Sequence, residues 1–257
     1  MTATRAVELL AVPGIPLVKA GDDLASLVAA GLKDAGFAPR TNDVLVLAQK
    51  IVSKAEGRTV ELASVTPSPR AIELAREVQK DPRLVELVLS ESVRVVRSRP
   101  NVLIVEHRLG FIMANAGIDQ SNVAPQDGVE RALLLPRDPD GSAAAVRRRL
   151  GDLLGVELPV VIIDSFGRPW RRGTVGIAIG AAGLPSMLDL RGKPDMFGRI
   201  LQVSITAFAD EIAAAASLVM GQGDEAQPAV LVRGLSWVAP STPASELIRP
   251  AAEDMFR

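Results

Sequence analysis

The sequence predicts an α+β protein in which mixed sheets are flanked by helices, organised as one unit over residues 1–257 with room for two subdomains. Three observations predict it. Continuous apolar runs at Val44–Leu47, Val156–Ile163 and Ala229–Val232 read as strands buried on both faces. Helical patterns fall between these runs, but not in a clean βαβα alternation. No internal repeat, heptad or low-complexity tract points to a solenoid or coiled coil.

In chain order, Val7–Val12 reads as a short strand closed by Pro13-Gly14. Asp22–Gly36 is an amphipathic helix, capped by Asp22 or Asp23, with Leu24, Leu27, Val28 and Leu32 on one stripe. The strand Val44–Leu47 follows. Pro69 to Ser90 is helical with a break at Asp81-Pro82, since proline ends the preceding turn. Val93–Val96 and Val102–Val105 are strands around the turn Arg99-Pro100-Asn101, and Phe111–Ala114 pairs with the second across Leu109-Gly110. Pro136–Gly141 reads as an exposed connection, and Ser142–Leu154 as a helix capped by Gly155. After the strand Val156–Ile163, Gly167–Gly173 reads as a loop rich in Arg and Gly. Val175–Leu184 is a strand or a tightly packed turn. Ala207–Met220 is an Ala-rich helix, and Ala229–Val232 is the last strand.

Composition excludes several function classes. The chain has 29 Lys+Arg against 30 Asp+Glu, one His, no Cys and no Tyr. A net charge of −1 offers no footprint for nucleic acid or an anionic membrane. The scarcity of aromatics argues against a base-stacking platform. Without Cys there are no disulfides, thiolate metal sites or cysteine nucleophiles. Met1 to Pro16 lacks the apolar core of a signal peptide, and no apolar run approaches the ~20 residues of a membrane span. A cytoplasmic protein is the expectation.

Motifs narrow the chemistry further. There is no Walker-type phosphate loop and no G-x-S-x-G. Gly221-Gln222-Gly223-Asp224-Glu225-Ala226 matches G-x-G-x-x-A formally. It follows a helix rather than a strand, so it reads as a helix C-cap. His107 sits at a strand end between Glu106 and Arg108, and reads as a satisfied or solvent-facing histidine. The remaining palette of carboxylates, Lys, Arg and hydroxyls suits hard divalent cations and phosphates.

Five clusters carry that palette. Gln49–Arg58 places two Lys and an Arg after a buried strand, to hold anions or to form a solvated strand end. Ala114–Val123 offers Asp119 and Asn122 around a turn, for a metal and a nucleotide or for local Asx bonding alone. Ile162–Gly173 delivers Asp164 and Ser165 on a buried strand, with Arg168, Arg171 and Arg172 close behind. The alternative is a turn in which Asp164 pairs with Arg168. Asp189–Arg199 alternates charges, as a site lining or a surface loop tied by ion pairs. Met220–Gln227 puts Asp224 and Glu225 at a helix C-terminus, where the dipole disfavours them, so a compensating cation or simple exposure is expected.

Taken together, the ordered segments resemble the coenzyme F420-0:L-glutamate ligase family, also called F420 γ-glutamyl ligases. The segments are Gly14-Ile15-Pro16-Leu17-Val18, Lys50-Ile51-Val52-Ser53-Lys54-x-Glu56-Gly57-Arg58, Ala116-Gly117-Ile118-Asp119-x-Ser121-Asn122, Asp164-Ser165-x-Gly167-Arg168-x-Trp170-Arg171, Ala209-Asp210-Glu211-Ile212-Ala213 and Val232-Arg233-Gly234. The resemblance implies that family's fold in an intertwined homodimer. It implies a GTP-dependent ligase that joins L-glutamate to F420-0, then adds γ-linked glutamate through acyl phosphates. The implied cofactors are two Mg²⁺ or Mn²⁺ ions, with K⁺ as a further candidate. Carried over, Ile15, Pro16, Leu17, Val18, Gln49, Lys54 and Asn122 match nucleotide contacts. Asp119 and Asp164 match ligands of one metal, and Ser165 and Gln222 ligands of a second. Gln222 also belongs with the nucleotide contacts. Lys54, Arg168 and Arg171 are the candidate catalytic cations. Gln49 and Gln222 depart from the family pattern, which often has a small polar residue and a Glu there. The flavin-reductase-like extension of some relatives is not expected here. Another nucleotide-dependent carboxylate–amine ligase, a nucleotide-binding regulator and a structural oligomer stay open as alternatives.

Overall fold

The computed structural model describes residues 6–123 and 128–255. Met1 to Arg5, part of the segment read as lacking a signal peptide, and Phe256-Arg257 lie outside the described residues. The elements in order are β1 (Glu8–Ala11), α1 (Leu24–Asp34), β2 (Val44–Ala48), α2 (Gln49–Ala55), β3 (Thr59–Glu61), α3 (Pro69–Val78), α4 (Pro82–Ser90), β4 (Ser92–Arg99) and β5 (Val102–His107). Then come β6 (Ile112–Ala114), β7 (Arg131–Leu133), α5 (Pro139–Leu154), β8 (Val160–Arg168), β9 (Arg171–Ala182), β10 (Leu188–Asp189), β11 (Ile205–Thr206), α6 (Phe208–Met220) and β12 (Ala229–Arg233).

The α+β class and its mixed sheet are observed. The main sheet runs β1-β12-β2-β8-β9. Only the β2–β8 pair is parallel, and the other neighbours are antiparallel. Strand side chains alternate between two cores. Leu45, Leu47, Val160, Ile162 and Leu231 face α1 and α5. Val44, Val46, Val161, Ile163 and Val230 face α6. Burial on both faces is why β2, β8 and β12 read as unbroken apolar runs. Helix α6 packs close because β9 carries Gly176, where a Cβ would stand 2.7 Å from the Ala213 carbonyl oxygen.

A second region has its own core, formed by Leu74, Val78, Val85, Val88, Leu103 and Val105 from α3, α4 and the β4-β5-β6 sheet. The break before Pro82 is real. Gln79 ends α3 in the left-handed region at φ 54°, and Asp81 caps α4.

Several boundaries differ from expectation. Strand β8 begins at Val160 rather than Val156, because Pro159 has no N–H for the ladder. The Pro136–Gly141 connection is partly helix. Asp138 caps α5 through the Gly141 N–H, and Pro139 takes the first helical position, where its missing N–H costs nothing. The Gly167–Gly173 loop is a β-hairpin tip, since β8 continues to Arg168 and β9 starts at Arg171. Helix α2 follows β2 directly, capped by no side chain, so the sequence gives no start signal.

Candidate functional site

Topology brings distant segments to one edge of the main sheet. Strands β2 and β8 are parallel, with Ala48 opposite Ile163, so Gln49 and Asp164 each follow directly on the last β2–β8 pair. Strand β12 enters from the same edge, where the Ala48 N–H donates to the Pro228 carbonyl. The end of β1 is tied there too, through the Val12 N–H and the Ala229 carbonyl. A crevice outside the carboxyl ends of parallel strands is where α/β folds place their ligands.

A cavity of about 430 Å³ opens at this edge. It is lined by Ile15, Pro16, Leu17 and Val18 after β1, by Gln49, Lys50 and Lys54 of α2, and by Asn122. Asp164 and Ser165 of β8 and the 220–228 loop after α6, with Gln222, complete it. Every residue expected to contact nucleotide is therefore in one lining. Asp119 stands beside it, joined through Lys50, whose Nζ lies 2.6 Å from Asp119 Oδ2. Lys54 Nζ donates to the Asn122 carbonyl at 2.8 Å, and Asn122 Nδ2 donates to the Gly223 carbonyl. Ser165 Oγ donates to Gln222 Oε1 at 2.8 Å. Gln49 is buried, and its Oε1 accepts from Ser53 Oγ.

Electrostatics separates the two carboxylates. Burial pushes the Asp164 carboxyl up to about 6, and the charge of Asp119 adds to it against the opposing Ser165 N–H. Asp119 is also raised by burial, but the Lys50 ammonium and the Ser121 donors outweigh this and hold it below its ordinary value. Burial lowers Lys54, and the Lys50 charge lowers it further. Glu225 curls back onto backbone N–H groups of its own residue, Gly223 and Gln222, which lower its carboxyl. The cation expected beside Asp224 and Glu225 is not required for Glu225, because the loop backbone supplies its donors.

The donor set fits a hard divalent ion. Asp119, Asp164, Ser165 and Gln222 offer only oxygens as hard ligands, and Asp164 has no ion-pair partner among the described residues. Among the described residues no three acidic or imidazole groups cluster, so an ion held here would take its remaining ligands from waters and phosphates. That incomplete protein shell is the usual one for Mg²⁺ held with a phosphate.

Other expectations fare differently. Arg168 and Arg171 are not brought into this cavity. They flank the hairpin tip with the exposed Trp170, and Arg168 donates to the Gly173 carbonyl rather than to Asp164. The β8 strand carries Asp164 in mid-strand, not at its tip, which sends these arginines away. Asp189 and Arg191 form an exposed pair, the surface reading of that loop. His107 is fully buried, with Nδ1 accepting from the Leu109 N–H. The sequence offers Lys50 only as one of two lysines able to hold anions, and the fold gives it Asp119 and Ser121 as partners. Its signal was the four-residue spacing to Lys54, which puts both on one helix face once α2 is recognised.

A family model for F420-0:gamma-glutamyl ligase matches residues 14–234. The chain belongs to this ligase family. It is 47% identical over 253 residues to the coenzyme F420:L-glutamate ligase of Methanothermobacter thermautotrophicus, covering 98% of this chain and 99% of that protein. The proteins of the same name from Natronomonas pharaonis and Methanocaldococcus jannaschii are 46% and 38% identical. The alignments cover 96% and 98% of this chain, and 93% and 98% of those proteins. The family segment reaches from the Ile15–Val18 lining to Gly234, and so contains every residue of the cavity. Among the described residues, no helix is long and apolar enough to cross a membrane.

Proposed function

We propose that this protein joins L-glutamate to the free carboxylate of F420-0 and then extends the product by γ-linked glutamate, consuming GTP in the synthesis of coenzyme F420. The observation that carries the reading is the cavity at the β2–β8 edge, which gathers cations and oxygen donors in a ligase of this family.

An amide does not form from an unactivated carboxylate at a useful rate. The F420-0 carboxylate oxygen attacks the γ-phosphorus of GTP, and the bond to the β-phosphate oxygen breaks to release GDP. The glutamate amine then attacks the acyl carbon of that acyl phosphate. Inorganic phosphate leaves with the former carboxylate oxygen, and the amine gives up its proton. Asp119, Asp164, Ser165 and Gln222 would hold two Mg²⁺ or Mn²⁺ ions, which supply charge neutralisation for phosphoryl transfer. Lys54, held over the cavity by the Asn122 carbonyl, places an ammonium beside the phosphates. Ile15, Pro16, Leu17 and Val18 provide an apolar wall for the base. Catalysis on this plan is positioning and fixed charge rather than covalent chemistry on the protein.

A homodimer belongs to the same reading. Met196, Phe197 and Val203, in the arm between β10 and β11, are at least 85% exposed in the single chain, as an apolar contact surface would be. Light scattering at micromolar concentration is expected to give twice the mass of one chain.

The decisive experiment labels the F420-0 carboxylate with ¹⁸O and incubates it with GTP, Mn²⁺ and glutamate. One labelled oxygen per phosphate and a product heavier by glutamate are expected. Unlabelled phosphate overturns the acyl-phosphate route, and release of ADP but not GDP in a mixed-nucleotide assay overturns GTP as the donor.

A further inference from the structure

We propose that Lys50 is a tethered stand-in for the divalent ion: its ammonium holds the metal-binding carboxylate Asp119, and it is exchanged when metal and triphosphate arrive. This rests on the metal-dependent reading above and says how that site is loaded.

Three atoms close a triangle. Lys50 Nζ lies 2.6 Å from Asp119 Oδ2 and 2.8 Å from Ser121 Oγ, and Ser121 Oγ donates to the same Asp119 oxygen at 3.0 Å. The Lys50 ammonium is thus held on Asp119, one of the two carboxylates assigned to the metal. An ammonium has only donors, and it takes the carboxylate lone pairs that a hard cation would use. Lys50 and Ser121 already occupy both lone pairs of Asp119 Oδ2, so a cation bound to that oxygen displaces one of them. Lys50 is not locked in this pose. Its side chain is 27% exposed, and its four-carbon stem is flexible. It lines the same cavity as Lys54, one helical turn away, whose charge repels it. A bound triphosphate gives the released ammonium new oxygen partners within that lining. Metal alone must displace Lys50 with nothing to receive it, whereas metal with nucleotide need not. The device therefore couples the two affinities positively, and keeps the Asp119 carboxylate neutralised until metal and triphosphate are both present.

The test is a Mn²⁺ titration without nucleotide, followed by the electron paramagnetic resonance signal of the free ion, on the wild-type protein, Lys50→Met, Lys50→Arg and Lys54→Met. Lys50→Met is expected to bind Mn²⁺ about tenfold tighter, the ratio that about 1.4 kcal/mol corresponds to. Lys50→Arg stays near wild type. Lys54→Met, which removes an equal charge from the same helix, shifts by less than about threefold. Equal tightening in Lys50→Met and Lys54→Met, or none in Lys50→Met, overturns the exchange while leaving the metal site intact. No Mn²⁺ binding in any variant, with or without GTP, overturns the metal site and the exchange with it. A second readout needs no substitution. Acetylation of the Lys50 amine in the wild-type protein, followed by mass spectrometry, is expected to accelerate several-fold when Mn²⁺ is added, with Lys33 as the exposed reference. An unchanged rate overturns the proposal.

Discussion

The ten residues from Gln49 to Arg58 carry cations into two acidic clusters, and the clusters differ in one respect. Lys50 and Lys54 reach the cavity, where Asp164 has no ion-pair partner among the described residues and burial pushes it up to about 6. Arg58 reaches Glu91, which is fully partnered. Arg58 Nη2 lies 2.9 Å from Glu91 Oε1, Arg108 Nε lies 2.9 Å from Oε2, and His107 Nε2 lies 3.5 Å from Oε2. Burial raises Glu91, and these partners outweigh it, holding the carboxyl down at about 2. Both acids are drawn into the protein. One has its charge satisfied inside the chain, and the other waits for a charge from outside. Unpaired acids mark sites and paired ones mark scaffolding, so the contrast is a functional assignment.

The largest expected effect breaks the open cluster. Asp164→Asn removes a metal oxygen without changing shape, and turnover is expected to fall at least about a hundredfold, with GDP release as the assay. The fold survives and gains. A carboxyl raised in the folded state costs nothing below its unfolded value near 3.9, and its cost grows as pH rises through about 6. In metal-free protein, Asp164→Asn is therefore expected to be more stable than wild type by on the order of 1–3 kcal/mol at pH 7 and equal to it near pH 4. Denaturant unfolding at the two pH values checks this.

The closed cluster responds in the opposite sense. Glu91→Gln leaves Arg58 and Arg108 facing a neutral amide in a buried setting, and is expected to lose about 3–5 kcal/mol of stability while the folded fraction keeps its turnover. Glu91 is depressed in the folded state, so its contribution is complete above the unfolded value near 4.3 and disappears as pH falls from there toward 2. Wild type should lose this stability across that window, and Glu91→Gln should show a flatter acid limb. If Glu91→Gln instead abolished turnover in well-folded protein, the division between scaffold and site would be wrong.

How much of this was legible in the sequence follows from where each signal resides. Strands β2, β8 and β12 are buried on both faces, so their apolar runs announce them without any context. The starts of α3 and α4 are local Ser, Asp and Pro chemistry and are readable in place, whereas the same chemistry at Asp138-Pro139 of α5 passes for an exposed connection. Short β3 and β7 have no such signature, because Thr59–Glu61 and Arg131–Leu133 pair with each other across a large sequence separation, and Leu133 bridges besides to Asp119. The site residues Asp119, Asp164, Ser165, Gln222 and Lys54 could be named from the resemblance. That Lys50 bridges to Asp119, 69 positions away, is a product of the fold, and so is the hairpin that carries Arg168 and Arg171 elsewhere. Glu91 was not singled out at all, since a carboxylate between Ser90 and Ser92 looks like any surface residue until the fold buries it against Arg58.

The smallest effect tests whether pairing alone, without burial, gives an acid structural weight. Asp189 has near-ideal geometry, with Arg191 Nε at 2.9 Å from Oδ1 and Nη2 at 2.6 Å from Oδ2, and its carboxyl is lowered to about 2 as firmly as that of Glu91. Yet about half of each side chain is open to solvent. Water and salt compete for both charges there, and holding two long side chains together has its own entropy cost. Arg191→Ala is therefore expected to move the melting temperature by less than about 2 °C, and 0.5 M salt to erase most of that difference. A shift as large as that of Glu91→Gln would mean that hydrogen-bond geometry outweighs burial in this protein. The argument from the unpaired Asp164 would then need to rest on its neighbours rather than on its desolvation.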